Sequence, residues 1–240
     1  MPQPFLHTNQ VSFELSNVCN LASAHSLCPL HSGKVGGAGK TLLPARIFID
    51  SINLMADYGF HGLVCFSIYN EPTNDPRLVD FIKYTKSKLH ERGRTFVISN
   101  STYLDEGLIL ELSKSGLDIL WISAYKQVDF DYFTNVKAPD SLQYLVFPGR
   151  HDDRNTIYTN DIIGLSQPCS APLGNISIRC NGDVVLCCMD WASTNIFGNL
   201  KDQSLVDIIS TEEVQTIYKE LSTGNRNCLD ICSHCKYTYF

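Results

Sequence analysis

The residues of this sequence best able to do chemistry are its ten cysteines, and they are unevenly spread over the 240 positions. Cys19, Cys28 and Cys65 fall in the first two-thirds, whereas Cys169, Cys180, Cys187, Cys188, Cys228, Cys232 and Cys235 crowd the last third. Thiolates are soft ligands that suit iron–sulfur clusters and zinc. The opening Met1-Pro2-Gln3-Pro4 has neither the basic nor the apolar part of a secretory signal. A cytoplasmic location is therefore expected, where cysteines stay reduced and metal or redox chemistry is the better expectation than disulfides. The balance of 19 Lys and Arg against 25 Asp and Glu gives a net charge of −6, which offers no basic surface to nucleic acid or an anionic membrane. Apolar runs such as Ile119-Leu120-Trp121-Ile122 stop far short of the ~20 residues a bilayer span needs.

The tail carries its cysteines at suggestive spacings. Cys169 is followed by twelve residues, Gly182, four residues and Cys187, and the chain closes with Cys228-Leu229-Asp230-Ile231-Cys232-Ser233-His234-Cys235. Asn181-Gly182 is a tight hairpin turn between two β-rich arms. Ser210-Thr211-Glu212-Glu213 fits a capping box for a helix running to about Leu221. Four thiols with a Cys-x2-Cys pair fit either a cluster or a structural zinc. Cys188, beside Cys187 on a strand, points to the opposite face. Cys65 reads as a small buried hydrophobe. The stretch Gly36-Gly37-Ala38-Gly39-Lys40-Thr41 imitates a phosphate-binding loop, but Gly33 is one position out of register, Lys34 stands in the required place, and no strand leads in.

Upstream of the tail, strand-like and helix-like segments alternate. Val11–Leu15, Leu63–Phe66, Thr95–Ile98, Asp118–Ile122 and Gln143–Phe147 read as strands, with a sixth around Asn175 to Arg179. Phe48, Ile52 and Met55 share a helix face that Gly59 ends. Asp75-Pro76 reads as a cap with proline in the first turn, ahead of Leu78, Phe81, Ile82 and Leu89 on one side. Leu108, Leu112 and Ser115 continue the pattern up to Gly116. Repeated β-α units mean parallel strands, so the fold class is α/β, a partial, open βα barrel with its chemistry at the strands' C-terminal ends, followed by a small β-hairpin plus helix extension. The polar stretch from Arg150 to Thr156 marks the approach to a boundary, giving a barrel over residues 1–165 and an extension over 166–240.

The segment from Glu14-Leu15-Ser16-Asn17-Val18-Cys19-Asn20-Leu21 to Cys28-Pro29 resembles the cluster loop of the radical S-adenosylmethionine superfamily, whose Cys-x3-Cys-x2-Cys pattern follows the first strand. Cys19 matches the first ligand, and Ser23 and Ser26 occupy the second and third. A serine hydroxyl is hard and stays protonated at neutral pH, so it replaces a thiolate poorly. Either the cluster is impaired, or the loop uses another set such as Cys19, Cys28 and His25. His25 also sits where the family packs a residue near the adenine. Phe66 to Pro72 is similar to the family's Gly-Gly-Glu-Pro element, with Asn70 and Glu71 at the methionine amino group. Ser99-Asn100-Ser101-Thr102 and Ile122-Ser123-Ala124-Tyr125 resemble the family's third and fourth strand ends, which brings Asn100 and Ser123 to the cofactor. The tail from Pro168 to Cys235 resembles the SPASM or shorter twitch extension. The resemblance implies one auxiliary [4Fe–4S] cluster on Cys169, Cys187, Cys232 and Cys235, with Cys228 in reserve.

The implied activity is an iron–sulfur enzyme in which reduced S-adenosylmethionine yields a 5′-deoxyadenosyl radical that abstracts hydrogen from a small polar substrate, giving oxidation, epimerisation or a related change. The radical chemistry implied by the resemblance would make Cys188 a candidate hydrogen-atom donor. A small molecule is a better expectation than a peptide, with Arg150 and Arg154 as contacts to its polar groups or as plain loop charges. An electron donor such as flavodoxin or ferredoxin is the implied partner. The alternatives are a non-catalytic iron–sulfur or zinc-binding module on a degenerate barrel and a peptide-modifying enzyme of the same superfamily.

Overall fold

Parallel strands buried on both faces need helices to cover them, and the alternating pattern supplies these in order. A computed structural model of the chain describes residues 3–21, 23, 28, 30, 40–149 and 166–237. Its elements run β1 (Gln10–Phe13), α1 (Ala45–Asp57), β2 (Leu63–Cys65), α2 (Leu78–Leu89), β3 (Arg94–Ser99), α3 (Glu106–Lys114), β4 (Ile119–Ala124), α4 (Gln127–Asn135) and β5 (Gln143–Pro148). Beyond residue 165 come α5 (Ala171–Gly174), β6 (Asn175–Ile178), β7 (Asp183–Val185), β8 (Ile196–Asn199), α6 (Leu205–Ile209), α7 (Glu212–Ser222) and α8 (Asp230–Ser233). The strands form one open sheet in the order β5-β4-β3-β2-β1-β6-β7-β8. Six strands are parallel, and β6-β7-β8 turn back antiparallel. The sixth expected strand is therefore the inner neighbour of β1, and the sheet runs unbroken across residue 165.

One face of the sheet packs against the helices. Val11, Phe13, Val64, Val97, Leu120 and Ile122 meet the buried face of α1 and α2, where the Phe48 ring stacks on Phe81 at 4.3 Å and Phe13 meets Phe48 edge-on at 4.9 Å. The alternate residues Cys65, Phe96, Ile98, Ile119 and Trp121 form a second, smaller apolar cluster on the other face. Cys65 is fully enclosed there, as a small hydrophobe. The glycine stops hold: Gly59 and Gly116 adopt φ of +71° and +99° just past α1 and α3.

Three local expectations are corrected. The second helix begins at Leu78, because the Asp75 carboxylate is taken by Arg77, whose Nε and Nη2 donate to it at 2.9 and 2.6 Å. The capping box lies at Ser204 and Asp207 ahead of α6, while Thr211 caps α7 through Val214 N–H alone. β7 ends at Val185, so Cys187 and Cys188 stand in the turn beyond it and strand alternation does not set their directions.

A buried ion pair joins the first strand to the tail. Arg179 Nε lies 3.0 Å from Glu14 Oε2, the two side chains being 2% and 0% exposed, and Cys180 N–H donates to the same oxygen at 3.2 Å. Burial pushes the Glu14 carboxyl up, opposed chiefly by the Arg179 charge. Removing one member strands a buried charge, which costs roughly 3–5 kcal/mol, whereas replacing both by apolar groups is often neutral. Arg179→Met is therefore expected to lower the urea midpoint by a corresponding amount, and Glu14→Leu/Arg179→Met to recover most of it. A double variant no more stable than the single would show that the ion pair is not the cause.

Candidate functional site at the strand ends and in the tail

The C-terminal ends of β1 to β4 converge on a cavity of about 180 Å³ lined by Cys19, Cys28, Asn70, Glu71, Asn100 and Ser123 among others. Local geometry fixes each group. Asn17 exchanges backbone and side-chain hydrogen bonds with Thr41, at 3.1 and 2.7 Å, which closes the long loop after β1 at its base. Glu71 N–H donates to Val18 O at 3.0 Å and so ties the loop after β2 to the approach to Cys19. Asn100 Nδ2 donates to Asn20 Oδ1 at 2.8 Å and reaches Cys19 Sγ at 3.7 Å. Burial raises the Cys19 thiol above its ordinary range, with the charge of Glu71 and then Cys28 adding to it.

Glu71 is more enclosed than a residue waiting for a ligand. Its Oε1 accepts from Thr73 N–H at 3.2 Å, Thr73 Oγ1 at 2.6 Å and Ser99 Oγ at 2.9 Å, and Oε2 accepts from Asn100 N–H at 2.6 Å. Burial pushes its pKa up against these bonds. One acceptor position remains at Oε2. Asn70 turns its amide onto its own loop, accepting from Ile68 N–H and donating to Phe66 O. Ser123 lines the cavity from β4. Cys28 is buried against the same cavity as Cys19, while Ser23 is exposed. His25, Ser26, Arg150, Arg154 and the glycines from Gly33 to Gly39 lie outside the described residues.

Tyr69 and Arg179 were not foreseen. Tyr69 lines the cavity, its ring carries the Arg179 guanidinium at 4.5 Å, and its hydroxyl donates to the carbonyl of Cys188. It thus joins the cavity to the turn holding Cys187. The only sequence signal was negative, a tyrosine where the resemblance calls for glycine. Cys188 is half-buried, and its described contact here is through the backbone; the residue is not part of the cavity lining.

In the tail, short elements bring distant cysteines together. Buried Asp190 accepts from Thr194 N–H and Asn195 N–H, at 2.9 and 2.8 Å, and shapes the turn after Cys187. Cys169 N–H donates to Leu221 O at 2.8 Å, anchoring the first cysteine to the end of α7. Cys235 N–H donates to Cys232 O at 3.3 Å. The thiols feel one another. Burial, then Cys228, Cys235 and Cys169, push Cys232 up to about 12, and burial, Cys188 and Cys232 push Cys187 well above its usual value. Among the described residues no three His, Cys, Asp or Glu form a ready-made site for a single ion. A four-iron cube is larger and holds its thiolates further apart. The four thiols are soft donors spread too widely for a single ion among the described residues, a donor set that an iron–sulfur cluster fits.

The SPASM family, an iron–sulfur cluster-binding domain, matches residues 169–236. Among solved structures, BtrN in complex with AdoMet and 2-DOIA is similar at a TM-score of 0.78 with 20% identity, over 96% of this chain and 93% of that one. BtrN in an open conformation gives a TM-score of 0.74 at 19% identity over 96% and 92%. anSMEcpe with bound AdoMet gives 0.60 at 12% over 95% and 89%. No curated protein matches the chain. Fold and tail together give an open α/β sheet shared with BtrN and anSMEcpe, followed by a segment, residues 169–236, that matches the SPASM iron–sulfur cluster-binding domain. No helix of the described residues is long and apolar enough to cross a membrane.

If Cys187 and Cys235 serve one centre, that centre staples the turn after β7 to the chain's last turn. Cys187→Ala or Cys235→Ala is expected to lose the tail's iron and make the chain after Gln167 protease-sensitive, while Cys65→Ala does neither. Full iron and undiminished protease resistance in Cys235→Ala would remove Cys235 from the ligand set.

Proposed function

We propose that this chain is a radical S-adenosylmethionine-type enzyme that takes AdoMet into the strand-end cavity and one [4Fe–4S] cluster into the tail, and that Ser23 and Ser26 impair the cluster at the barrel site. The observation that carries this reading is the meeting of Cys19, Glu71, Asn100 and Ser123 in one cavity at the ends of parallel strands. The likeness to AdoMet-bound BtrN over 96% of the chain supports it. Were a barrel-site cluster present to pass it an electron, bound AdoMet would supply hydrogen abstraction from an unactivated carbon. The chain's own residues hold and orient it. Glu71 Oε2 keeps one acceptor position for an N–H of the methionine ammonium, and Ser123 Oγ offers a donor for its carboxylate or a partner for the ribose. Asn100 steadies Cys19. The cavity, about 180 Å³ and open to solvent on one side, lies where AdoMet would enter.

The barrel donor set does not fit a three-thiolate cluster. Of the positions at 19, 23 and 26 only the first is a thiol, Ser23 is exposed, and Cys28 is the one further thiol that the cavity offers. For the substrate, the small molecule in BtrN at a TM-score of 0.78 supports a small polar compound over the peptide in anSMEcpe at 0.58.

Iron, sulfide and zinc analysis after anaerobic reconstitution tests this reading, alongside AdoMet cleavage. The chain is expected to hold one cluster and to form little or no 5′-deoxyadenosine. Ser23→Cys/Ser26→Cys is expected to gain a second cluster and cleavage. Cleavage at enzyme-like rates by the unaltered chain would make Cys28 or His25 a true ligand and overturn the serine argument.

A further inference from the structure

Arg226 is a buried cation that neither the fold nor the strand-end cavity accounts for. It is 3% exposed and opens the single 3-10 turn Arg226–Cys228 that follows α7. Its Nε donates to Gln167 O at 3.2 Å and its Nη1 to Cys235 O at 3.4 Å, so both bonds end on backbone beside tail cysteines. Nη2 is buried with no hydrogen-bond partner. Among the described residues no carboxylate pairs with the guanidinium.

A buried guanidinium without a counter-charge, and with a donor left open, is heavily disfavoured in a folded protein. What stands beside this one is a set of thiols. Four thiolates on a [4Fe–4S] core carry net negative charge in either oxidation state, and the reduced form carries one charge more. Hydrogen bonds to the sulfurs and nearby charge are the terms by which a protein sets a cluster's potential.

We propose that Arg226 is the counter-charge and hydrogen-bond donor of the auxiliary cluster, with Nη2 directed at a cluster or cysteine sulfur, and that it raises the cluster's reduction potential. The sign follows from charge: a fixed cation stabilises the more negative, reduced state more than the oxidised one. This inference rests on the tail holding an iron–sulfur cluster. Lysine keeps the charge but lacks the planar fork that reaches three partners at once.

The test is an EPR-monitored redox titration of the anaerobically reconstituted full chain, preceded by iron, sulfide and zinc counts on the same sample. With iron content equal to the parent's, Arg226→Met is expected to lower the potential by at least a tenfold change in the oxidised-to-reduced ratio, about 59 mV for a one-electron couple. Arg226→Lys is expected to fall between the two. An unchanged potential in Arg226→Met at full iron would overturn the proposal. Should that variant fail to take up iron, Arg226→Gln, which keeps N–H donors but removes the charge, decides at full iron: a lowered potential supports the proposal and the parental value overturns it. Zinc in place of iron in the unaltered chain would instead overturn the reading of the tail, before any potential is measured.

Discussion

The buried pairing of Glu14 with Arg179 is the interaction on which the two halves of this molecule depend. β1 lies at the centre of the sheet, with β2 on one side and β6 on the other. Glu14 follows β1 directly and Arg179 follows β6, so parallel pairing alone brings the two side chains to the same end of the sheet. From there the contacts branch. Glu14 also accepts from Cys180 N–H, and Arg179 lies over Tyr69, whose hydroxyl holds the Cys188 carbonyl. One buried charge pair thus connects the approach to Cys19, the loop that carries Glu71, and the turn that carries Cys187. Such pairs contribute little net stability but penalise any arrangement that separates them.

The two sulfur-bearing sites differ in what the sequence supplies. The tail has seven cysteines, four of them the expected ligands with Cys228 in reserve, a carboxylate, Asp190, that organises one of the turns, and a buried arginine without a carboxylate partner among the described residues. The strand-end cavity keeps the positioning apparatus: Asn17 at the loop base, Asn100 on Cys19, and the hydrogen-bonded Glu71. Two of its three expected thiols are hydroxyls. Substitution at the ligands with the supporting contacts intact is what separates a loss of soft donors from a loss of the fold.

Much of the architecture was legible because buried parallel strands write themselves as short β-branched runs, and Leu63–Cys65, Arg94–Ser99 and Ile119–Ala124 lie where those runs fall. The polar strand ends were legible for the same reason, since each closes a recognisable run. Local capping was less so. Asp75 has the look of a helix cap, but Arg77, held by Leu43 O at 2.8 Å from a distant segment, claims its carboxylate. Tyr69, Arg179 and Arg226 were not legible at all. Each gains its role from partners more than fifty positions away, at Cys188, Glu14 and Gln167, and no periodicity records such pairings.

AdoMet at the strand ends of the open sheet and a single iron–sulfur cluster in its tail can be located in one experiment. Crystallography of the anaerobically reconstituted chain with AdoMet, using anomalous scattering at the iron edge, measures both at once. One iron peak is expected among Cys169, Cys187, Cys232 and Cys235, with AdoMet between Glu71 and Ser123. An iron peak at Cys19 and none in the tail, or AdoMet bound away from that cavity, would contradict this arrangement.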